Sequence, residues 1–494
     1  MDRKNSAGGV APVNPGETGV FFSCGDPALQ RLYDEAERKA RGNLRPFGDD
    51  LVLVEGGGYE KIWLETQPMG GEMYAGRNLT AALNNCLLFM RHQRADGRIP
   101  GSIQCLDGAV EPQFNKLQGF CFPYPALNLY YLIGRDPVYL AQLDDCLRRF
   151  DEYLWRVRDV SGCLASFCVY DTGEDNAVRY GDAPCWWTED TPPQGYAVVP
   201  MASMDIMSFS YACRDTLAAI SRIRGDGKEA LWRGKADEVA RLLRDRLWDE
   251  RRGACFDRDR HGKVVDVLTH NNLRCMYWGS FSQKMADRFV RDHLLNPDEF
   301  FTPMPLPSVA VNDPAFRNMA ENNWSGQPEG LTYQRAIRAL ENYGYDDLIP
   351  VLGKRLFRAV IGGGYVFTQQ FDPFTGKPSM VPIPAQQSGE DAGPAVMQDA
   401  YGPTILSVLA YIAHIWGVDL QLGEVRFSLG RGLRYAYEHR WGGHVYRVES
   451  DGNAARACAD GRAVYDGPCG VRVVTDERGA HLRTLPFDRG GEQR

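Results

Sequence analysis

Between residues 26 and 416 the apolar positions recur at helical spacing, and loops rich in Gly, Pro, Asp and Asn separate the helical stretches. In the segment KADEVARLLRDRLW, for example, Ala236, Val239, Leu243 and Leu247 fall on one side of a helix. Such a stripe is typical of a helix that buries one face. Many antiparallel helices joined by long loops predict a mainly helical fold, an α/α toroid in which an outer ring of helices surrounds an inner ring.

The pattern changes at about residue 417, where short runs of β-branched and aromatic residues alternate with turn sequences. These runs predict a small antiparallel β domain over residues 417–487, which follows a helical domain over residues 21–416. We expect the leader, residues 1–20, and the tail, residues 488–494, to be poorly ordered.

Composition and charge limit the partners of this chain. Its 494 residues are 44% apolar, and it carries a net charge of −8 without a long basic cluster, which argues against binding to nucleic acid or to an anionic membrane. The start of the chain has no apolar signal segment, so we expect a cytoplasmic protein. The 13 cysteines form no CxxC pairs and are expected to be free thiols. The sequence leaves open whether the chain forms a homo-oligomer.

The eight histidines are dispersed, without an HxH or HxxxH pair, so we predict no metal site. Neither a GxGxxG nor a Walker sequence occurs between a strand and a helix, and no cofactor is predicted. A GxSxG elbow is also missing, which argues against a Ser/His/Asp hydrolase.

The segment DTGEDNAVRY, residues 171–180, concentrates three carboxylates, an asparagine and an arginine between two helical regions. Its residues are frequent in turns, so a solvated turn is one interpretation. An acid-rich pocket is the other. A carboxyl group held among other acids keeps its proton near neutral pH and can protonate a leaving oxygen.

This segment resembles the ESGxDNSPRW signature of the inverting (α/α)6 glycoside hydrolases. That family includes the processing α-glucosidase I, the mannosylglycerate and glucosylglycerate hydrolases and, more distantly, trehalase. Segments further along the chain are similar to family motifs in the same order. They are LLFMRHQRADGRIPGSI, LWDERRGACFDRDRHGK, FTPMPLPSVAVNDPAF, NNWSGQPEGLTYQRAIRALENYGY and FDPFTGKP. The resemblance covers about residues 60–415 and implies an exo-acting, inverting glycosidase that cleaves a small α-linked glycoside.

In this resemblance Asp175 is the general acid. Arg179 is expected to hydrogen-bond substrate hydroxyls or to orient a carboxylate, although an arginine of this kind is also common in surface salt bridges. Trp186 and Trp187 could stack on a sugar face. The other residues that we expect to contact the sugar are Asn176, Tyr180, Glu60, Trp63, Gln118, Trp324 and Gln369. Glu65 and Tyr74 lie in the same loop region as Glu60 and Trp63.

The chain departs from the family at the general base. An inverting hydrolase needs a second carboxylate about 6.5–9.5 Å from the acid to activate water, and the resemblance implies a glutamate where this chain has Gln369. An amide cannot accept the proton. Glu390, Glu329 and Asp372 are the replacements we considered, together with Asp391 beside Glu390. We place Glu390 ahead of Glu329, because an acidic glycine loop at a helix start can position a base.

Two other functions follow from the same departure. An inverting phosphorylase needs only the acid, since phosphate itself attacks the sugar, and basic side chains such as Arg179, Arg77 and Lys61 would bind that anion. A non-catalytic carbohydrate-binding protein is the second alternative. In each case the expected partner is a small carbohydrate.

Overall fold

Helices form most of the chain as far as residue 416 in the computed structural model, which describes residues 18–320, 324–382 and 395–488. The α-helices of these residues are α1 (Pro27–Arg41), α2 (Gln67–Tyr74), α3 (Leu79–Arg91), α4 (Pro123–Leu132), α5 (Pro137–Val157), α6 (Met204–Arg224), α7 (Glu229–Leu247), α8 (Asn271–Trp278), α9 (Gln283–Phe289), α10 (Gly330–Glu341), α11 (Ile349–Gly362) and α12 (Gly402–Trp416). A π-helical segment, Val290–Leu294, continues α9. None of the described helices is long and apolar enough to cross a membrane.

Several helix starts can be explained from local sequence. The side chain of Asp26 accepts hydrogen bonds from the N–H groups of Ala28 and Leu29 at the start of α1, and Asp136 caps α5 in the same way. In both cases a proline follows the capping residue. Aspartate satisfies the exposed N–H groups and proline has the backbone angle of a first helical residue, so the pair fixes where each helix begins.

The even-numbered helices contact one another in a closed sequence. Helix α2 contacts α4, α4 contacts α6, α6 contacts α8, α8 contacts α10, α10 contacts α12, and α12 contacts α2. The odd-numbered α3, α5, α7 and α11 each contact the helix that precedes them, while α1 contacts α12. The loops that join these helices carry the functional residues described below.

Short strands lie between the helices and after them. They are β1 (Gly19–Cys24), β2 (Leu44–Phe47), β3 (Asp50–Leu53), β4 (Ile62–Trp63), β5 (Ser102–Leu106), β6 (Ala109–Gln113), β7 (Asp159–Val160), β8 (Cys163–Ser166), β9 (Met201–Ala202), β10 (Trp248–Asp249), β11 (Ala254–Cys255), β12 (Met380–Pro382), β13 (Ala395–Met397), β14 (Val418–Gln421), β15 (Glu424–Leu429), β16 (Tyr435–Trp441), β17 (His444–Ser450), β18 (Ala454–Ala459), β19 (Arg462–Pro468), β20 (Val471–Asp476) and β21 (His481–Pro486).

The C-terminal strands form two antiparallel sheets, as the sequence pattern predicts. One sheet has the order β14-β15-β20-β21 and the other the order β1-β16-β17-β18-β19. Strand β1 pairs with β16 from Gly19 opposite Arg440 to Cys24 opposite Tyr435. This corrects the predicted boundaries, which assigned residues 19–20 to the leader and 21–24 to the helical domain. A strand whose partner lies far away in the sequence leaves no local turn signal, so its pairing could not be predicted.

Candidate active site

The segment 171–180 is a largely buried loop held by side-chain contacts, and not a solvated turn. Asp171 is fully buried, forms an ion pair with Arg158, and accepts hydrogen bonds from the N–H groups of Leu117 at 2.9 Å and Phe167 at 2.8 Å. Burial alone would raise the pKa of Asp171, but Arg158 and these N–H groups hold it below its usual value. The first acid of the segment therefore fixes the start of the loop.

Two side chains of the loop meet five from elsewhere in the chain in a set that we call the buried ion network. It consists of Glu174, Arg179, Asp205, Asp257, His270, Asn271 and Arg274. Glu174 forms ion pairs with Arg179 and, at 3.2 Å, with Arg274, and it lies 3.0 Å from His270 Nε2. Burial alone would raise the pKa of Glu174, but Arg179, Arg274 and His270 hold it well below its ordinary value.

Arg179 is the central cation of the buried ion network. It pairs with Glu174, with Asp205 at 2.9 Å and with Asp257, and it is only 3% exposed. Burial, and then the neighbouring Asp205, outweigh Arg179 at Asp257 and raise the pKa of that carboxyl to about 6. Arg179 thus orients carboxylates, and the structure places it neither in a surface salt bridge nor at an open pocket.

Asp175, the next residue after Glu174, stands at the surface of this network and is half-buried. Its carbonyl oxygen accepts a hydrogen bond from the N–H of Trp324 at 3.3 Å. Ser325 Oγ accepts from the N–H of Val178 at 3.0 Å and donates to the carbonyl of Asn176 at 2.9 Å. Asn176 is exposed and has a left-handed φ of 60°, a conformation that asparagine tolerates. Trp324 and Ser325 therefore fix the backbone of the segment that carries Asp175.

Three glutamates that are distant from Asp175 in the sequence, Glu55, Glu65 and Glu329, lie near it in the fold. We call Glu55, Glu65, Asp175 and Glu329, with Tyr59 and Tyr401, the carboxylate cluster. Burial, assisted by the charge of Asp175, raises the pKa of Glu55 and Glu329 well above the ordinary value. No described lysine or arginine forms an ion pair with either side chain. Acidic groups with raised pKa values in one place are typical of a site that transfers protons.

Glu329 lies directly beside Gln369 and Gln370. The backbone at Glu329 bridges to Gln370, and the N–H of Gly330 donates to the carbonyl of Gln369 at 2.9 Å. Gln370 Nε2 donates to Glu329 Oε1 at 2.8 Å. Glu329 is fully buried and precedes α10, yet its side chain caps no N–H of that helix. A carboxylate is therefore present next to the position where the resemblance implies one.

Glu65 lies against the loop that carries Asp175. An added Cβ at Gly173 would fall 1.2 Å from Glu65 Oε2, so only glycine fits there. Glu65 Oε1 is 3.2 Å from Arg335 Nη2, and both side chains are buried. Burial raises the pKa of Glu65 to about 7, although Arg335 and Arg274 oppose the rise. Glu65 thus adds a titratable carboxyl group to the same site.

Tyr59 and Tyr401 lie between these acids. Tyr401 donates to Glu55 Oε1 at 3.1 Å, and Tyr59 donates to Gln369 Oε1 at 3.1 Å. The two rings are 6.1 Å apart and meet edge to face. The two tyrosines thus link Gln369 to Glu55.

Two buried lysines, Lys61 and Lys116, lie against the ring of Trp63. Lys116 Nζ lies 5.1 Å from the ring centre of Trp63 and 5.8 Å from that of Tyr170, and Lys61 Nζ lies 5.3 Å from the Trp63 ring. Both lysines are buried. Neither forms an ion pair with a described carboxylate, although Lys116 feels the charge of Asp175. Burial, and then the charge of Lys116, lower the pKa of Lys61 to about 8.

Several predicted site residues border this region. Trp324 is buried, with its ring 5.6 Å from that of His270. The N–H of Gln118 donates to the carbonyl of Tyr170 at 2.9 Å. Trp186 is 41% exposed, with its ring 6.2 Å from that of Tyr170. The structure therefore brings these residues, together with Trp63, Asn176 and Gln369, to the surroundings of Asp175.

Other predicted residues lie elsewhere or have different partners. Glu60 is exposed and forms a surface ion pair with Arg45 at 2.8 Å. Tyr180 is buried against Ser166 and Thr172. In the remaining cases, Trp187 Nε1 donates to the carbonyl of Thr191, Arg77 pairs with Glu37, and Asp372 accepts hydrogen bonds within its own turn. Tyr74 is buried within α2.

Glu390 and Asp391 lie outside the described residues, so the structure does not place the base that we ranked first. Conversely, sequence reasoning missed Glu55, Tyr59, Lys116, Arg335 and Tyr401. The segment VEGGGYE contains the weak signal of an acid and a tyrosine separated by glycines. Lys116, which stands beside the apolar stretch that ends in GFCF, gives no comparable signal.

The chain is similar to known glycoside hydrolases. The mannosylglycerate hydrolase MGH1-like glycoside hydrolase domain matches residues 74–390, more than half of the chain. A mannosylglycerate hydrolase of Thermus thermophilus, solved with Tris, is 16% identical, and the alignment covers 76% of this chain and 99% of that one with a TM-score of 0.60.

Two further solved structures share the fold at lower similarity. Neutral trehalase of Saccharomyces cerevisiae is 13% identical over 77% of this chain and 80% of its own, with a TM-score of 0.51. A rhamnosidase of a Bacillus species is 13% identical over 88% of this chain and 40% of its own, with a TM-score of 0.55. The chain belongs to the mannosylglycerate hydrolase MGH1-like glycoside hydrolases and is a glycosidase.

Proposed function

We propose that this glycosidase is an exo-acting, inverting enzyme that cleaves a small α-linked glycoside with an anionic aglycone. Its helices would form an (α/α)6 toroid, with the even-numbered helices as the inner ring and the odd-numbered helices outside. The closed sequence of contacts from α2 through α12 supports this arrangement. The site then lies where α8 and α10 begin, because His270 and Glu329 immediately precede these helices.

Asp175 is the general acid in this proposal. The side chain is half-buried, within a loop that the buried ion network holds in place, so it can reach a substrate and keep its orientation. The buried Glu329 and the ammonium group of Lys116 are both within electrostatic reach of it. The acid protonates the leaving oxygen, so we place the bond to be cleaved at Asp175, with the glycone towards Glu329 and the aglycone towards Lys116.

Glu329 is the general base, in place of the glutamate that Gln369 replaces. The observation that carries this assignment is the position of its carboxylate beside Gln369 and Gln370, within the electrostatic reach of Asp175. A base must lose its proton before it can activate water. Since burial and Asp175 raise the pKa of Glu329, we expect activity to fall on the acidic side at a pH well above 4.5, the ordinary value for glutamate.

The lysines indicate the charge of the leaving group. A buried ammonium group without an ion-pair partner is costly, and Lys116 and Lys61 both lie against the ring of Trp63. A carboxylate on the aglycone would compensate both. Glu55, Glu65 and Glu329 are buried, and we place the glycone against them, at a closed end of the site such as an exo-acting enzyme needs.

Phosphorolysis is the second candidate, because the same two lysines could bind inorganic phosphate while Gln369 leaves the expected base position neutral. Glu329 favours hydrolysis, since a carboxylate facing the incoming phosphate would repel it.

The deciding experiment follows by NMR the sugar released from α-glucosides and α-mannosides with neutral or carboxylate-bearing aglycones, with and without phosphate, and distinguishes free sugar from sugar 1-phosphate. Wild type is compared with Asp175→Asn, Glu329→Gln and Glu390→Gln, and NMR identifies the anomer first released. We expect phosphate-independent release with inversion, lost in the Asp175 and Glu329 variants and kept in the Glu390 variant.

Each other outcome selects an alternative. Formation of a sugar 1-phosphate in place of free sugar identifies a phosphorylase, and loss of activity in Glu390→Gln alone transfers the role of base to Glu390. If the wild type releases nothing but sugars raise its melting temperature, the chain binds carbohydrate without cleaving it.

A further inference from the structure

His270 is a buried titratable side chain that has no role yet in the proposed reaction. It directly precedes α8, is 1% exposed, and its side chain caps no N–H of that helix. Its backbone N–H donates to the carbonyl of Ser308 at 3.0 Å, and its carbonyl accepts from the N–H of Leu273 at 2.8 Å. The backbone therefore fixes where the imidazole stands, and both ring nitrogens can bond to side chains of other elements.

The two ring nitrogens bond to two different parts of the site. Nε2 lies 3.0 Å from Oε1 of Glu174, the residue that precedes Asp175. Nδ1 lies 3.0 Å from Oγ1 of Thr332, which is buried in the first turn of α10. The N–H of Thr332 donates to the carbonyl of Glu329 at 3.0 Å. One imidazole thus joins the residue next to the general acid to the turn that follows the general base.

The neighbouring charges decide which ring nitrogen carries the hydrogen. Burial alone would raise the pKa of Glu174, but the arginines that pair with it hold the pKa well below its ordinary value, so this carboxylate is ionised and only accepts. Burial lowers the pKa of His270, although Glu174 opposes the fall. The charges of Arg274 and Arg335 lower it further, so the ring is neutral at pH 7. Nε2 therefore carries the single ring hydrogen, Nδ1 accepts, and the hydroxyl of Thr332 donates.

A ring contact joins His270 to the same loop at a second point. The ring of Trp324 lies 5.6 Å from the imidazole ring, and the N–H of Trp324 donates to the carbonyl of Asp175 at 3.3 Å. His270 therefore supports the loop through Glu174 and, by way of Trp324, at Asp175 itself.

We propose that His270 is a positioning residue, which fixes the general acid relative to the general base through hydrogen bonds that run from Thr332 to His270 to Glu174. This role rests on the proposed function, in which Asp175 is the acid and Glu329 the base. An inverting hydrolase needs its two carboxyl groups about 6.5–9.5 Å apart so that water fits between them. A displacement of about 1 Å can lower the rate about 100-fold, so a bridge between the two segments bears directly on catalysis.

The test is made at Thr332, because valine has nearly the shape of threonine but no hydroxyl group. Wild type, Thr332→Val and Thr332→Ser are compared in single turnover of an α-glucoside or α-mannoside with a carboxylate-bearing aglycone, so that product release does not mask the chemical step. We expect the rate of this step to fall about tenfold or more in Thr332→Val and to recover in Thr332→Ser. The Kd for the substrate should not change.

The matched control is Thr475→Val. It removes a buried hydroxyl group from β20, in the C-terminal sheet, where the hydroxyl donates to a backbone carbonyl at 2.8 Å. This variant should lose some stability in urea unfolding but keep the wild-type rate. A loss of rate in Thr332→Val alone would therefore report on position and not on stability.

A second readout does not depend on activity. In protein with ¹⁵N-labelled histidine, NMR distinguishes a protonated ring nitrogen from a bare one, and His270→Gln identifies the signals of His270. We expect a single hydrogen, on Nε2, at pH 7. In Thr332→Val the Nδ1 signal should shift more than the Nε2 signal, because Nδ1 loses its donor.

Four results would overturn the proposal. A wild-type rate in Thr332→Val, with Asp175→Asn and Glu329→Gln inactive, would remove the positioning role and leave the proposed function intact. Activity retained in Asp175→Asn would overturn the proposed function, and the positioning role with it. Equal losses of rate in Thr332→Val and Thr475→Val would assign the effect to stability. A hydrogen on Nδ1 at pH 7 would contradict the direction of the hydrogen bonds.

Discussion

Glu174 and Asp175 are neighbours in the sequence, yet they belong to two acidic regions with opposite electrostatics. Glu174 lies in the buried ion network, where arginines hold its pKa well below the ordinary value. Asp175 lies in the carboxylate cluster, where its own charge helps to raise the pKa of Glu55 and Glu329. All three glutamates are buried, so burial alone does not decide the sign of the shift. What differs between them is that Glu174 pairs with two arginines, whereas no described lysine or arginine forms an ion pair with Glu55 or Glu329.

The comparison separates a supporting role from a chemical role. Glu174, which pairs with arginines, stays ionised and fixes the backbone. Glu55 and Glu329, which form no ion pair with a described cation, keep their protons to a higher pH and can exchange them with a substrate. The two roles fall to adjacent residues, because the side chain of Glu174 bonds to Arg179 and Asn271 in the buried ion network.

Asp175→Asn should have the largest effect on activity. Without a proton donor we expect kcat to fall on the order of 10⁴-fold, about 5 kcal/mol in activation free energy. Stability should not fall, because the variant removes a charge from a set of like charges. Steady-state kinetics and urea unfolding measure the two quantities. A variant that is less stable to urea but keeps its specific activity would assign Asp175 to the buried ion network instead.

Arg179→Met should show the reverse pattern. The variant leaves Glu174, Asp205 and Asp257 without their shared cation, and breaking such a buried arrangement costs about 4 kcal/mol of unfolding free energy. Urea unfolding measures this loss. The matched control is Arg244→Met on the exposed face of α7, which should be close to wild type. Equal stabilities for the two variants would contradict the supporting role of the buried ion network.

Glu65→Gln should change how stability depends on pH. The pKa of Glu65 is about 7 in the fold against 4.5 ordinarily, so the folded state holds a proton that the unfolded chain releases between these values. The stability that this proton provides is complete below pH 4.5 and is lost as the pH rises to about 7. It amounts to about 3 kcal/mol.

The variant cannot titrate at this position, so its loss of stability across that interval should be smaller than that of the wild type by this amount. Urea unfolding at several pH values measures the difference, and Glu60→Gln at the surface is the matched control. Parallel curves for Glu65→Gln and wild type would mean that Glu65 is already ionised in the folded protein.

Local signals in the sequence predicted much of the fold. The Asp-Pro pairs fix the starts of α1 and α5, and the run EVRFSL forms β15 as its alternation predicts. The segment 171–180 could likewise be recognised as an unusual acidic loop. What binds the loop could not be predicted, because Arg274 and Asp257 are distant in the sequence.

The carboxylate cluster was harder to predict for the same reason. Glu55 receives its hydrogen bond from Tyr401, which is 346 residues later. Glu329 stands where a helix cap would be expected, and only the pairing of its backbone with Gln370 shows that it faces the site. Sequence reasoning therefore ranked Glu390 first, on a loop argument that applied equally well to many acids.

The smallest expected effect concerns Lys116. It tests whether the charge next to Asp175 helps to select the leaving group. Replacing it by methionine keeps the apolar stem against Trp63 and removes the ammonium group. If the aglycone is anionic, KM for a carboxylate-bearing substrate should rise about tenfold, or about 1.4 kcal/mol, with kcat and the kinetics on a neutral aglycone little changed. Lys263→Met, at an exposed position, is the control. An equal loss on both substrates would mean that Lys116 acts on Asp175 and not on the leaving group.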